Sequence, residues 1–380
     1  MRIGIVCYPT FGGSGVLATE LGKALAVKGH EVHFISYNQP ARLDFFTENV
    51  FYHEVSILKY PLFEYAPYET ALAGKIVDIA KIANLDVLHV HYAIPHASAA
   101  LLAKMILAEE GLSLPVITTL HGTDITLVGR EATYEPVVSW SINNSDAVTA
   151  VSESLRRDTL EHFHIRKPIQ VITNFIDFSR FNKKPKEHFK KAISPNGEKI
   201  LVHTSNFRKV KRVDDVIEVF CRVNQKMPCK LLMIGDGPER SHIEKMTREL
   251  ACGDKVTFLG KQEAVEEILS VCDLFILPSE TESFGLAALE AMACEVPVIS
   301  SNAGGIPEVN IHGETGYLSN VGDVEDMAMN ALKILESEET LLAFKNRALE
   351  QARKFDLDII INDYIQLYAE VAGLKLPAAQ

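Results

Sequence analysis

The sequence has no apolar run approaching the roughly 18 residues that a bilayer span requires, and its six cysteines include no C-x-x-C pair. The formal net charge of the 380 residues is −12. Each scarcity excludes something. With no span, and no apolar leader after Met1-Arg2, the expectation is a cytoplasmic protein without stable membrane association. So acidic a surface repels polyanions, which leaves nucleic acid out as a partner unless a local basic patch gathers it. Cysteines 7, 221, 229, 252, 272 and 294 are scattered, mostly in apolar stretches. They read as reduced small hydrophobes, not as a disulfide frame or a zinc site.

What is present is ample apolar content for packed cores, over a length that suits two domains. Strand-like runs alternate with amphipathic helical ones, the pattern of parallel sheets covered by helices. In the first half, strands are expected at 2–7, 31–36, 50–55, 85–90, 115–119, 146–151 and 169–173. The second half restarts with strands at 199–204, 230–234, 255–259, 273–277 and 296–299. Its helices are expected near 213–225, 238–251, 263–271 and 284–293. The stretch "NKKPKEHFKKAISPNGEK" (182–199) has the composition of an exposed connector. A last helical pattern, Ile359 to Val371, has no strand after it and is expected to cross back onto the first domain. The domains expected are 1–175 with 357–380, and 176–356. Two such α/β domains imply a cleft between them, where ligands of these sheets bind.

Gly13-Ser14-Gly15-Val16-Leu17-Ala18 fits G-x-G-x-x-A, a dinucleotide fingerprint. Two departures count against NAD. Tyr8-Pro9-Thr10-Phe11 intervene after the strand, and the second strand ends in Ser36, Tyr37 and Asn38 with no carboxylate for a ribose. What survives is a glycine-rich turn at a helix N-terminus, where free amides favour an anion.

The most specific stretch is "PSETESFGLAALEAMACEVPVISSNAGGIPEV" (278–309). Glu282 and Glu290 give E-x7-E, with a helix expected to begin near Ser283-Phe284. Eight helical residues advance about 12 Å, whereas hydrolytic carboxylate pairs stand roughly 5 to 9.5 Å apart. The two therefore serve different parts of one long ligand, with the amides of Phe284, Gly285 and Leu286 meeting a diphosphate between them. The plainer alternative puts Glu290 on a solvated helix face and makes Glu282 a first-turn dipole partner. The cluster Arg208-Lys209-Lys211-Arg212 follows a strand and lacks interleaved aromatics, which favours a phosphate or carboxylate clamp over a nucleic-acid patch.

"ETESFGLAALEAMACEVPVI" with "GGIPEV" resembles the donor-site signature of family 4 glycosyltransferases, retaining enzymes of the GT-B fold. The likeness covers nearly the whole chain, through "FGGSG", "HVHYAIPHA", "TTLHGTDIT", "VTAVSESL", "SNFRKVKRVDDVI" and "IGDGPE". It implies a GT-B architecture, two Rossmann-like doubly wound parallel-sheet domains facing a central cleft. "TLHGTDIT", "HYAIPHA" and "SNFRKVKRV" narrow it to members that move GlcNAc from UDP-GlcNAc to the hydroxyl of L-malate, the first step of bacillithiol biosynthesis.

The resemblance implies these roles. Glu290 binds the uridine ribose, and Glu282 the sugar near its 3- and 4-hydroxyls. Lys211 holds the diphosphate with the 284–286 amides, and Gly13 packs beside the phosphates. Ser283, Asp236 and Gly237 complete the donor set. Family members often carry arginine five residues before the lysine. Asn206 stands there instead, so either Arg208 supplies the charge or Asn206 contacts the acceptor. His121 lies beside the sugar, and Ser14, Tyr92 and Thr119 hold the acceptor's anionic group. Transfer is expected to need no metal or other cofactor, with Lys211, Arg208, Glu282 and His121 as the catalytic set. Related enzymes are often homodimers.

Two patterns have ordinary readings. His89, His91 and His96 form a conceivable metal site but lack a carboxylate or cysteine to complete it. Asp356-Leu357-Asp358 spells D-x-D, yet acids opening a terminal helix suit its dipole. The aromatic stretch 59–69 is either a lid or simple packing. The rivals are another acceptor (inositol phosphate, a lipid or a glycan), a UDP-GlcNAc 2-epimerase, and a non-catalytic nucleotide-sugar sensor.

Overall fold

A computed structural model describes residues 1–10, 12–43, 47–57 and 64–375. Phe11 of the opening loop and residues 59–63 of the expected lid lie outside the described residues. The chain divides into two compact units, Met1–Asn174 with Leu357–Gln380, and Phe175–Asp356.

The first unit runs β1 (Arg2–Val6), α1 (Ser14–Val27), β2 (Glu31–Ser36), β3 (Val50–Glu54), α2 (Tyr68–Ala83), β4 (Val87–His91), α3 (Ser98–Glu109), β5 (Val116–Leu120), α4 (Glu135–Asn144), β6 (Ala147–Ala150), α5 (Glu153–His162) and β7 (Ile169–Val171). All seven strands are parallel, in the order β3-β2-β1-β4-β5-β6-β7. Strand residues alternate between the sheet faces. Leu88 and Val90 pack with Leu72 and Ile76 of α2 and Ala100 and Leu101 of α3. His89 and His91 therefore face the other way.

The second unit contains α6 (Glu187–Ile193), β8 (Lys199–Ser205), α7 (Val213–Asn224), β9 (Cys229–Gly235), α8 (Arg240–Glu249), β10 (Val256–Gly260), α9 (Val265–Leu269), β11 (Leu274–Leu277), α10 (Leu286–Ala293), β12 (Val298–Ser301), α11 (Ile306–Val309), β13 (Gly316–Ser319), α12 (Val324–Leu335) and α13 (Glu338–Ala352). Its six parallel strands run β10-β9-β8-β11-β12-β13. Val216, Ile217 and Phe220 of α7 share a core with Leu231 and Met233, closed by Met327 of α12 and Phe344 of α13. The last helix, α14 (Leu357–Val371), packs in the first unit, against α1 and on the histidine face of β4. Asp358 lies in its first turn, as the dipole reading expects.

Two expectations are corrected. Residues 182–199 are largely exposed, as expected, but they are not a connector between the units: they include α6 and belong to the second unit. Their lysines answer carboxylates of that unit, Lys183 with Glu295 at 2.7 Å, Lys186 with Glu267 at 3.4 Å and Lys190 with Asp273 at 3.2 Å. Nor are all six cysteines reduced. The end of α7 and the segment after α8 bring Cys221 and Cys252 into a disulfide, while the other four are free and buried.

In each sheet the strand order reverses once, between β1 and β4 and between β8 and β11. Loops leaving the carboxyl ends of the strands on either side of such a reversal diverge and open a crevice. That fixes where a site belongs in each unit.

Candidate active site

In the second unit, the segment after β8 carries Asn206 and Arg208, both exposed, and closes in a single 3-10 turn, Lys209–Lys211. The segment after β11 carries Glu280 and Glu282. The two are tied by the Glu280 amide, which donates to the Val210 carbonyl at 2.8 Å. This brings Lys211 Nζ to 2.6 Å from Glu282 Oε2, both side chains being mostly enclosed. The Arg208 side chain has no hydrogen bond or ion pair among the described residues, while its carbonyl accepts the Lys211 amide at 2.9 Å. The loop after β9 locks into the same place: the Phe207 amide donates to Asp236 O at 3.1 Å, and Glu239 donates back to Phe207 O at 2.9 Å. Asp236 Oδ1 accepts the Gly237 amide at 2.9 Å.

Behind Lys211, His203 on β8 donates from Nδ1 to the Ile276 carbonyl at 2.8 Å, which leaves Nε2 to accept from Ser205 Oγ at 2.7 Å. Burial, with Lys211 nearby, pushes this imidazole down to about 4. It adds no positive charge to the site. Sequence reasoning did not single out His203.

The helix expected at Ser283-Phe284 begins later. Gly285 adopts φ 99°, a left-handed conformation natural to glycine, and α10 starts at Leu286. Glu282 thus stands before the helix and Glu290 within it, so an uninterrupted helical rise does not set their separation. Phe284 is buried edge-on against Phe355, with centroids 5.5 Å apart. The G-G-I-P-E loop after β12 buttresses this turn. Gly305 donates to Glu282 O at 2.9 Å, and a Cβ on Gly304 would lie 2.0 Å from that same oxygen. The glycines of that motif thus let two backbones touch. Their contact holds Glu282 in place.

In the first unit, Gly13 precedes α1 and Ser14 opens it. Ser14 Oγ lies 2.6 Å from Tyr92 Oη, the residue that follows β4. Tyr92 has φ 84°, a costly conformation for a side chain of this size. Asp124 holds the segments around it, accepting the amides of Ala93 at 2.9 Å and Gly122 at 3.0 Å. Burial raises the Asp124 carboxyl to about 6. It was visible in "TTLHGTD" but given no role there.

The structure brings His121 together with Tyr92, ring centroids 5.2 Å apart, and with His91, whose Nδ1 lies 2.8 Å from His121 Nε2. Burial pushes His121 down to about 3, so the ring is neutral. Thr119 is placed differently from its neighbours. It is fully buried on the α14 face, with its hydroxyl 2.6 Å from His89 Nε2 and 2.7 Å from Thr149 Oγ1. The three histidines of "HVHYAIPH" bond to protein groups: His89 to Tyr368 and Thr119, His96 to the His91 carbonyl at 2.6 Å, and His91 to His121.

Residues 184–351 match the family "Glycosyl transferases group 1", and residues 11–180 match "Glycosyltransferase Family 4". The chain is 47% identical to the N-acetyl-alpha-D-glucosaminyl L-malate synthase of Bacillus anthracis, over 98% of this chain and 97% of that one. Two solved structures share the fold. Sucrose-phosphate synthase from Thermosynechococcus elongatus has TM-score 0.79 and 21% identity, covering 98% of this chain and 99% of its own. Anabaena HepE, solved in complex with UDP-glucose, has TM-score 0.80 and 19% identity, covering 97% and 100%. Two parallel Rossmann-like sheets, a basic turn and an E-x7-E segment each at a strand's carboxyl end, and 47% identity to a named synthase along nearly the whole chain converge: the chain belongs to the family 4 glycosyltransferases, with the GT-B fold.

Proposed function

We propose that this chain transfers GlcNAc from UDP-GlcNAc to the hydroxyl of L-malate with retention, releasing UDP, as the first step of bacillithiol biosynthesis. The reading is carried by the likeness to the Bacillus anthracis synthase, which runs along 98% of the chain. The geometry within each unit supports it.

At the donor end, Glu290 takes the ribose hydroxyls and Glu282 the sugar near its 3- and 4-hydroxyls, with Asp236, Gly237 and Ser283 alongside. As the bond between the anomeric carbon and the phosphate oxygen breaks, UDP leaves with additional negative charge. Lys211, held by Glu282, and the first amides of α10 are fixed before the reaction and stabilise that charge without reorganising, and the exposed Arg208 adds a second cation. Asn206 either lines this end or meets the acceptor.

At the acceptor end, the Ser14–Tyr92 hydroxyl pair and the first turn of α1 take the malate carboxylates. The malate hydroxyl attacks the face that UDP leaves, and its proton passes to the departing phosphate oxygen. His121, neutral, donates a hydrogen bond to the sugar.

No helix among the described residues is long and apolar enough to cross a membrane. Self-association into a homodimer belongs to the same reading, supported by exposed Leu102, Met105 and Ile106 on α3, Tyr134 just before α4, and Val137 and Trp140 on α4. Sedimentation tests it.

The activity test incubates purified protein with UDP-GlcNAc, with and without L-malate, and follows UDP and a new glycoside by mass. Malate-dependent UDP release with a GlcNAc-malate mass is expected. UDP release indifferent to malate, or a glycoside formed only with another acceptor, overturns the assignment.

A further inference from the structure

β4 and β5 pair in parallel with His91 opposite Thr119, so His91 and His121, two residues beyond Thr119, meet on the same face of the sheet. Their rings are 5.0 Å apart at 28°, and His91 Nδ1 lies 2.8 Å from His121 Nε2. An N–H···N bond between two neutral imidazoles needs one donor and one acceptor. Only two arrangements exist.

In one, His121 Nε2–H donates to His91 Nδ1, and the His91 proton must sit on Nε2. His91 is 2% exposed, and its Nε2 has no hydrogen-bond partner. This arrangement buries an N–H with nothing to receive it. In the other, His91 Nδ1–H donates, its Nε2 is a bare lone pair, and the proton of His121 sits on Nδ1. Buried donors left without acceptors are rare, and bare acceptors are better tolerated. The second arrangement is favoured. Among the described residues, His121 Nδ1 makes no hydrogen bond.

We propose that His91 is a positioning residue: its Nδ1–H fixes His121 as the Nδ1–H tautomer, so that His121 offers a hydrogen-bond donor, not a lone pair, to the reacting sugar. The carbonyl-bound His96 and the hydroxyl-bound His89 have no such free hand, since each nitrogen they bond through is committed to Tyr68, Tyr368, Thr119 or the His91 backbone. The donor role rests on the transferase reading above. The tautomer does not.

The test has two arms on the full-length protein. Nitrogen-15 spectra of labelled histidine, with His121 assigned by its loss in His121→Phe, report which ring nitrogen carries the proton, without substrate. A protonated Nδ1 with an unprotonated Nε2 is expected for His121. A proton on Nε2 overturns the proposal whatever the acceptor proves to be. The second arm compares His91→Leu with His91→Asn, whose carboxamide N–H can take the place of Nδ1–H. His91→Leu should lower kcat by about tenfold or more with KM for UDP-GlcNAc little changed. His91→Asn should recover most of that loss. Native kcat in His91→Leu, or equal impairment of both variants, overturns the positioning role. If His91→Leu does not fold, the spectrum of His121 in the wild type and in His91→Asn decides.

Discussion

Lys211 Nζ and Glu282 Oε2 stand 2.6 Å apart although the residues are 71 positions apart in sequence. The pair joins the segments that leave β8 and β11, on either side of the strand-order reversal. It sets one cation and one carboxylate together at the proposed donor end.

Replacing Lys211 by Ala should therefore cost turnover far more than folding. Removing one preorganised stabiliser of transition-state charge lowers kcat by about 10²–10³-fold. The stability lost with a partly exposed pair is about 1–2 kcal/mol. Steady-state kinetics beside a thermal melt separates the two. Near-normal turnover would remove Lys211 from the mechanism.

Gly304 should not tolerate a side chain. It has φ 55°, and a Cβ there would meet the Glu282 carbonyl at 2.0 Å. Gly304→Ala should destabilise the protein by roughly 1–3 kcal/mol and displace Glu282. The expected reading is a lower melting temperature together with a raised KM for UDP-GlcNAc. Unchanged melting and KM would show that the loop is not the buttress described.

Ser14→Ala and Tyr92→Phe should act on the acceptor alone. Each removes one hydroxyl of the 2.6 Å pair. A lost hydrogen bond to a charged group is worth about 1.5–3 kcal/mol, roughly a 10- to 100-fold rise in KM for L-malate. KM for UDP-GlcNAc should stay put. A change confined to the donor would reverse the assignment of the two ends.

Much of the architecture was legible because apolar runs and helical stripes record burial directly. β2 at 31–36 and α7, read as 213–225 and found at Val213–Asn224, show this. What failed to show depends on partners distant in sequence. Nothing in "NKKPKEHFKK" reveals that its lysines face Glu295, Glu267 and Asp273. Cys221 and Cys252, 31 residues apart, carry no spacing signal of their pairing. The start of α10 was misplaced because a left-handed Gly285 delays the helix, although its composition continues unbroken from Phe284. At the site, residue types pointed to an anion clamp, but the His91–His121 bond required knowing that β4 lies beside β5. Thr119 illustrates the converse: a polar residue at a strand end, fully buried on His89 and Thr149.

The buried histidines predict the response to acid. Burial lowers His89 and His121 to about 3, and His96 and His203 to about 4, from an ordinary 6.5. Between those values and 6.5 the unfolded chain binds more protons than the folded one. The stability they contribute is thus complete above about pH 6.5 and lost as pH falls, by about 1.4 kcal/mol per pH unit for each proton. Asp124 opposes this with one group: burial raises it from 3.8 to about 6, so the folded state holds the extra proton there. Melting temperature should fall steadily from about pH 7 to pH 5. His89→Gln, which keeps an uncharged donor and acceptor toward Tyr368 and Thr119, should flatten that fall. An unchanged slope would mean that His89 is not held neutral.

The central claim is that protein cations and helix amides alone stabilise the departing nucleotide. The direct measurement is the initial rate of GlcNAc-malate formation by chelator-treated protein, with and without added magnesium or manganese. Equal rates in both are predicted. A rate abolished by the chelator and restored by either ion would contradict the account.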